Sequence, residues 1–123
     1  MKNVYIVEDD SKNMKLFRAI LNKFPEVSLF TGEEGDSGLE LIKNGNPDLI
    51  ILDIRLPKIN GIEICKELRK IERFQHVPII AVTAYAMKGD EERILAAGFD
   101  EYIEKPIRVK KFKETINRYL SEK

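Results

Sequence analysis

Charged and hydroxyl side chains stand directly at the ends of four short apolar runs of this sequence. The run 49–52 is apolar at every position, which is typical of a strand buried on both faces, and Asp53 ends it. A buried carboxylate loses hydration, so a cation must compensate for its charge or a reaction must use it. The residues at the ends of the four runs are Glu8, Asp9, Asp10, Asp53, Thr83 and Lys105.

The acids predict a cation site if the fold brings them together. Two carboxylates about 5 Å apart, at an effective dielectric of about 20, repel each other by roughly 3 kcal/mol. Either their pKa values rise or a cation binds. Oxygen ligands with open positions for water suit Mg²⁺. The chain has only one cysteine and one histidine, so no zinc cluster is expected.

An anionic aspartate beside Mg²⁺, a hydroxyl and a lysine indicates phosphoryl transfer to the carboxylate. Asp53 would attack phosphorus and form an aspartyl phosphate, while Mg²⁺ and Lys105 neutralise charge on the equatorial oxygens. Thr83 or a backbone N–H would bind another oxygen. Each residue alone has a structural interpretation, because acids cap helices and start turns, threonine is common in strands, and lysines are often solvated. Only the combination favours a reaction site.

The elements that must position these residues alternate along the chain. Apolar runs at 4–7, 27–30, 49–52, 77–82 and 102–103 are separated by segments with helical spacing. This predicts an α/β, flavodoxin-like doubly wound fold with a parallel five-stranded sheet, in the order 2-1-3-4-5. Ligands bind such folds beyond the carboxyl ends of the strands. Ser11 is the candidate cap of the first helix, and Val109, Phe112, Ile116 and Tyr119 are expected on one face of the last.

Length and composition fit one globular domain over residues 1–123, with no output domain after the last helix. Hydrophobic residues make up 43% and charged residues 34%, and 21 basic residues balance 21 acidic ones. This balance gives no general reason to expect binding to nucleic acid or to an anionic membrane. The N-terminal "MKNVYIVEDD" fits neither a signal peptide nor a membrane span. Cys65 is expected to be a buried small residue, and a reducing cytoplasm is predicted.

Four stretches carry a resemblance to a known family: "VEDD", "DLIILDIRLPKINGIEI", "VTAYAMKGDEE" and "YIEKPI". In this order and spacing, the chain resembles the receiver domain of two-component response regulators over essentially its full length. "VEDDSKNMKLF" and "TAYAMKGDEERI" are most similar to DivK-like single-domain regulators, although receivers embedded in hybrid histidine kinases are similar there too.

The resemblance implies a role for each site residue. Asp53 would be the phosphoacceptor, and Mg²⁺ would be bound by Asp9, Asp53, the backbone carbonyl of Arg55 and, through water, Glu8. Asp10 would have a secondary role. The phosphoryl group would contact Thr83, Ala84 and Lys105, with a cis Lys105–Pro106 bond. Thr83 and Tyr102 would form the switch, and the fourth helix, fifth strand and fifth helix the output face, including Lys88, Arg93, Tyr102 and Arg108.

The resemblance also implies the partners. A sensor histidine kinase or histidine phosphotransfer protein would supply the phosphoryl group, and a downstream effector protein or a phosphorelay would receive the signal. Direct nucleic-acid binding and membrane insertion are not expected. The protein would promote its own phosphorylation and dephosphorylation without turning over a separate substrate. Arg55 and Tyr85 depart from the commonest pattern, and we hypothesise that both lengthen the lifetime of the phosphorylated state.

Three other classes of protein share parts of this pattern. A haloacid-dehalogenase-type phosphatase needs a second aspartate two residues after the first, where this chain has Arg55. A flavodoxin-like cofactor binder needs a hydroxyl- and glycine-rich loop after the first strand, where this chain has acids. An interaction module that is never phosphorylated is the serious alternative, but such modules lose the acceptor or its acids, and this chain keeps them.

Overall fold

The computed structural model describes residues 1–84 and 88–121, and within them five strands alternate with five α-helices. All strand pairs are parallel, and the order is β2-β1-β3-β4-β5, which confirms the predicted fold. The elements are β1 (Lys2–Val7), α1 (Ser11–Leu21), β2 (Val27–Gly32), α2 (Gly35–Lys43), β3 (Leu49–Asp53), α3 (Gly61–Arg69), a 3₁₀ turn (Glu72–Phe74), β4 (Ile79–Thr83), α4 (Lys88–Ala96), β5 (Glu101–Glu104) and α5 (Val109–Leu120).

The sheet separates two apolar layers. On one face, α1 and α5 pack together over the sheet, with the rings of Phe17 and Phe112 5.1 Å apart. On the other face, α2, α3 and Ile94 of α4 cover the sheet and enclose Cys65. Every residue of β3 and β4 is buried, as expected for central strands of a parallel sheet with helices on both faces.

The strand register brings the carboxyl ends of the strands together at one edge. Val7 pairs with Leu52, Asp53 with Val82, and Thr83 with Glu104. The residues that follow β1, β3, β4 and β5 therefore meet at this edge. The strands position the polar residues there, because the apolar runs of neighbouring strands end in register with one another.

Helix caps show one correction to the sequence prediction. Asp10, not Ser11, caps α1: its Oδ1 accepts hydrogen bonds from the amides of Lys12 at 2.8 Å and Asn13 at 3.4 Å. Ser11 is the first residue of the helix, and an aspartate caps as well as a serine. Val109 begins α5, as the spacing predicts, and is 42% exposed there.

No helix within the described residues has both the length and the apolar composition needed to cross a membrane.

Candidate functional site

Asp53 and Lys105 form a close ion pair at the carboxyl edge of the sheet. Lys105 Nζ donates to Asp53 Oδ2 at 2.9 Å, and the Asp53 side chain is almost fully buried. Burial by itself lowers the pKa of Lys105, but the hydrogen bond and charge of Asp53, followed by the charge of Glu8, raise it above its ordinary value. Lys105 is therefore a permanent ammonium group at neutral pH, held against the predicted phosphoacceptor.

The second oxygen of Asp53 is bound by the chain itself. The amide of Arg55 donates to Asp53 Oδ1 at 3.1 Å. Together with Lys105, this bond holds the carboxylate in one orientation at the end of β3. The Arg55 side chain is exposed, and the predicted metal contact of its carbonyl stays a prediction.

Glu8 is the most buried acid of the site. The residue is only 1% exposed, and its Oε2 accepts from the Asp10 amide at 3.1 Å. Oε1 lies 3.2 Å from Lys105 Nζ but has no hydrogen bond of suitable geometry within the described residues. Burial, and next the hydrogen bond that protonated Glu8 donates to Asp53, raise the pKa of Glu8 to about 7, against the opposing effects of the Asp10 amide and Lys105.

Glu8, Asp9 and Asp53 meet the requirements of a divalent cation site. One carboxylate oxygen from each lies within 4.8 Å of the others, and Asp9 is exposed, so the cluster opens to solvent. The buried Oε1 without a hydrogen bond and the raised pKa of Glu8 both indicate negative charge that the protein leaves incompletely neutralised. Hard oxygen ligands beside open solvent fit Mg²⁺, which keeps several of its waters. The prediction of Mg²⁺ is thus consistent with the donor set.

The hydroxyl predicted for the site lies on the neighbouring strand. Thr83 ends β4 and is buried, and its carbonyl accepts from the Lys105 amide at 2.8 Å. Ala84 follows in an exposed bend. This contact joins β4 directly to the segment that carries Lys105, and the Lys105–Pro106 peptide bond is cis. The expected neighbours of the phosphoacceptor are therefore brought together.

The structure describes only some of the predicted switch and output residues. Tyr102, on β5, is half-buried and packs against the layer of α2 to α4; burial and then the charge of Glu91 raise its pKa. Arg93 pairs with Asp90 at 3.3 Å, and Arg108 is exposed before α5. Tyr85 and the Lys88 side chain lie outside the described residues. The switch, the output face and the effect of Arg55 and Tyr85 on lifetime stay predictions.

An open cavity of about 750 Å³ borders the acidic cluster. Asp9, Arg55, Lys66 and Arg93 are among the residues that line it. The position of Lys66 could not be predicted, because no local sequence pattern links α3 to the acids after β1. The cavity reaches the acidic cluster at Asp9 and borders Ile54 and Arg55, the two residues that follow Asp53.

Replacement of Glu8 by glutamine is expected to stabilise the metal-free protein at alkaline pH. In the unfolded chain Glu8 ionises near 4.5, whereas in the folded protein its pKa is about 7. The folded state therefore binds this proton more tightly, and stability falls as pH rises from about 4.5 to 7. Urea unfolding in EDTA should show Glu8→Gln more stable by on the order of 2 kcal/mol at pH 8, with the difference vanishing near pH 4.5.

Glu67→Gln is the control, since Glu67 is exposed on α3 and pairs with the exposed Lys70. It should change the free energy of unfolding by less than about 0.5 kcal/mol at either pH. If Glu8→Gln is less stable than the wild type at pH 8, the conclusion that ionised Glu8 destabilises the folded metal-free protein is wrong.

Comparisons with known proteins agree with this geometry. A family model described as the response regulator receiver domain matches residues 4–117. The polar-differentiation response regulators DivK of Brucella ovis and Brucella abortus are each 48% identical to this chain over 121 residues. The matched region covers 98% of this chain and 98% of each relative.

Solved structures similar to this chain include receiver domains. The receiver domain of the sensor histidine kinase PA1611 from Pseudomonas aeruginosa superposes with a TM-score of 0.88 and 29% identity, covers 98% of both chains, and has a magnesium ion coordinated in its active-site cleft. A CheY-like receiver domain protein from Methanospirillum hungatei has a TM-score of 0.87 and 30% identity, over 98% of this chain and 94% of that one.

Proposed function

Because this chain belongs to the response regulator receiver domain family of two-component signalling, we propose that Asp53 accepts a phosphoryl group in a Mg²⁺-dependent reaction. The observation that carries the proposal is the immobilised Asp53 carboxylate, 2.9 Å from Lys105 Nζ and within 4.8 Å of oxygens of Glu8 and Asp9. A buried carboxylate with one fixed cation, and with oxygen ligands for a second cation beside it, is arranged for a nucleophile that must approach an anion.

The reaction follows from the charges. An oxygen of Asp53 attacks phosphorus, the bond from phosphorus to the donor atom breaks, and the donor leaves with the electron pair and takes up a proton. Lys105 neutralises one equatorial oxygen, and Thr83 and the amide of Ala84 bind another. Mg²⁺, when bound by Asp9, Asp53 and the Arg55 carbonyl, and by Glu8 through water, supplies charge that lets two anions approach each other.

The product adds about one and a half to two negative charges beside the Lys105 ammonium. Lys105 would exchange its contact with Asp53 for the phosphoryl oxygens, and Thr83 would move toward them. The space vacated by Thr83 admits Tyr102, so the surface of α4, β5 and α5 changes. The protein thereby promotes its own phosphorylation and dephosphorylation and signals by a change of shape.

Receiver domains generally interact with histidine kinases and effectors. A sensor histidine kinase or histidine phosphotransfer protein is the proposed donor for this chain, and an effector protein or the next carrier of a phosphorelay is the proposed recipient. The DivK relatives match this chain over 98% of their length, which supports action as a stand-alone receiver. The proposed location of this action is the cytoplasm. Neither nucleic-acid binding nor membrane insertion is part of this proposal.

Intact mass after incubation with acetyl phosphate tests the proposal. We expect one phosphoryl adduct in Mg²⁺ and at least about tenfold less in EDTA, because the crowded carboxylates then repel the anionic donor. Hydroxylamine should remove the adduct, as it cleaves acyl phosphates. An adduct that survives hydroxylamine, or that forms equally in EDTA, would refute an aspartyl phosphate formed with Mg²⁺.

A further inference from the structure

The loop between β3 and α3 (residues 54–60) carries the carbonyl of Arg55, the backbone group expected to bind Mg²⁺. The start of the loop is fixed by the sheet. The amide of Ile54 donates to the Val82 carbonyl at 3.0 Å, and the amide of Arg55 donates to Asp53 Oδ1 at 3.1 Å. These bonds hold the amide of Arg55, whereas its carbonyl belongs to the next peptide unit. The position of that carbonyl therefore depends on what holds the rest of the loop.

The rest of the loop is held by the first turn of α2. The amide of Gly35, which begins α2, donates to the Pro57 carbonyl at 3.0 Å. Glu34, the residue before the helix, forms no side-chain capping hydrogen bond with the described part of the chain. The loop carbonyl thus satisfies a first-turn amide of α2 in place of a capping side chain. The loop and the start of α2 therefore stabilise each other, although they are far apart in the sequence.

This contact requires a glycine at position 35. A Cβ on Gly35 would overlap the carbonyl oxygen of Ile59, and it would lie 2.6 Å from the carbonyl carbon and 2.9 Å from the nitrogen of the same residue. All three are backbone atoms, so no side-chain rotation can relieve the overlap. Alanine forms helices better than glycine does, so helix propensity does not account for this glycine. The close approach of the loop accounts for it.

An added Cβ at the start of α2 would displace the loop, because α2 itself is fixed against the sheet. Gly38 lies so close to β1 that a Cβ there would come within 2.7 Å of the Val7 side chain. Leu39 is buried in the apolar layer between α2 and the sheet. Pro57 and Lys58, in contrast, are exposed and can move into solvent. The loop is therefore the part that yields.

A displacement of Pro57 reaches the Arg55 carbonyl because the chain between them is short and stiff. Only Leu56 separates the two residues. The proline ring fixes the φ angle of residue 57 and restricts Leu56 to extended conformations. On the other side of Pro57 the chain turns tightly: the Ile59 amide donates to the Pro57 carbonyl at 2.9 Å, around Lys58 at a φ of 76°. Few torsions remain that could absorb the displacement.

We propose that Gly35 is a positioning residue for the divalent cation, because its contact with Pro57 holds the Arg55 carbonyl in place to bind the cation together with Asp9 and Asp53. This inference rests on the proposed function and adds to it a group on α2 that contacts neither the cation nor the phosphodonor. Altering such an outer partner of a metal ligand typically lowers metal affinity by roughly 10- to 100-fold. Replacement of Gly35 should therefore weaken cation binding while every ligand is retained.

The test compares cation affinity in three variants. Gly35→Ala displaces the loop, and Pro57→Ala keeps the carbonyl that accepts from Gly35 but removes the stiffness of the segment. Gly98→Ala is the control: Gly98 has a φ of 112° and precedes β5, at the end of the sheet opposite to Asp53, so alanine strains the fold there without touching the loop. Binding of Mn²⁺, the divalent probe, is measured from the electron paramagnetic resonance signal of the free ion. Circular dichroism verifies that each variant is folded.

We expect Gly35→Ala to bind Mn²⁺ about tenfold more weakly than the wild type, Pro57→Ala about threefold more weakly, and Gly98→Ala within about twofold of the wild type. A loss of less than about twofold in Gly35→Ala, or an equal loss in Gly98→Ala, would overturn the proposal. If Gly35→Ala does not fold, Pro57→Ala replaces it under the same criterion.

The Mg²⁺ dependence of phosphorylation distinguishes a cation-positioning role from a general effect on the fold. Gly35→Ala retains Asp53 and Lys105. Adduct formation from acetyl phosphate should therefore need about tenfold more Mg²⁺ for its half-maximal rate, while the rate at saturating Mg²⁺ stays within about threefold of the wild type. A lower rate at saturating Mg²⁺ with an unchanged Mg²⁺ requirement would overturn the proposal.

The two measurements together separate this inference from the function on which it rests. An adduct in every protein, with Mn²⁺ affinity unchanged in Gly35→Ala and Pro57→Ala, would refute only the positioning role of Gly35. Weaker Mn²⁺ binding in Gly35→Ala, without an adduct in any protein, would support the positioning role and refute the phosphoacceptor proposal.

Discussion

Asp53→Asn is expected to reduce the phosphoryl adduct by about 100-fold or more, to the background of the assay, while leaving the fold intact. The amide oxygen of asparagine can still accept the 3.1 Å hydrogen bond from the Arg55 amide, so the strand end keeps its geometry. The amide lacks the nucleophilic carboxylate and cannot form an acyl phosphate. Intact mass after acetyl phosphate treatment in Mg²⁺ gives the yield directly.

The same substitution has a second measurable consequence. Burial raises the pKa of Glu8 most, and Asp53 raises it further, so Asp53→Asn should lower the pKa of Glu8 only part of the way to 4.5. The metal-free variant should then lose less stability between pH 5 and pH 8 than the wild type does. Asp36→Asn is the matched control, since Asp36 is exposed in the first turn of α2. An adduct of wild-type yield in Asp53→Asn would assign the phosphoacceptor elsewhere.

The fold and most of the site could be predicted because the apolar runs report both burial and position. An apolar run such as 49–52 occurs in a central parallel strand, and parallel strands place the residues that follow them at one edge. Glu8, Asp53, Thr83 and Lys105 could therefore be grouped before their distances were known. The pairing of Lys105 with Asp53 agrees with that grouping.

Two features could not be predicted, because they depend on contacts that no local pattern encodes. Arg69 donates to Gly98, Phe74 and Val77 carbonyls and to Asp100, and thereby joins α3 to the segments before β4 and β5. The choice of Asp10 over Ser11 as the cap of α1 depends on the exact residue at which the backbone turns.

Lys105→Met is expected to lower the stability of the metal-free protein by about 3 kcal/mol at pH 8, because it leaves two buried carboxylates without their cation. The Glu8 and Asp53 side chains are 0% and 5% exposed and lie 3.2 Å and 2.9 Å from Lys105 Nζ. Methionine matches the length of the lysine stem, so lost charge rather than a cavity should dominate. The rate of adduct formation should also fall about 100-fold, the cost of removing one charge-stabilising donor.

Two dependences distinguish this electrostatic explanation from poor packing. The stability deficit of Lys105→Met should shrink as pH falls from 8 to 5, because Glu8, with a pKa already near 7, takes up a proton and relieves the repulsion. Added Mg²⁺ should also reduce the deficit, since it supplies the missing positive charge. Lys70 forms an exposed ion pair with Glu67 at the end of α3, so Lys70→Met should lower the free energy of unfolding by less than about 0.5 kcal/mol. A deficit independent of both pH and Mg²⁺ would mean that Lys105 stabilises the fold by packing alone.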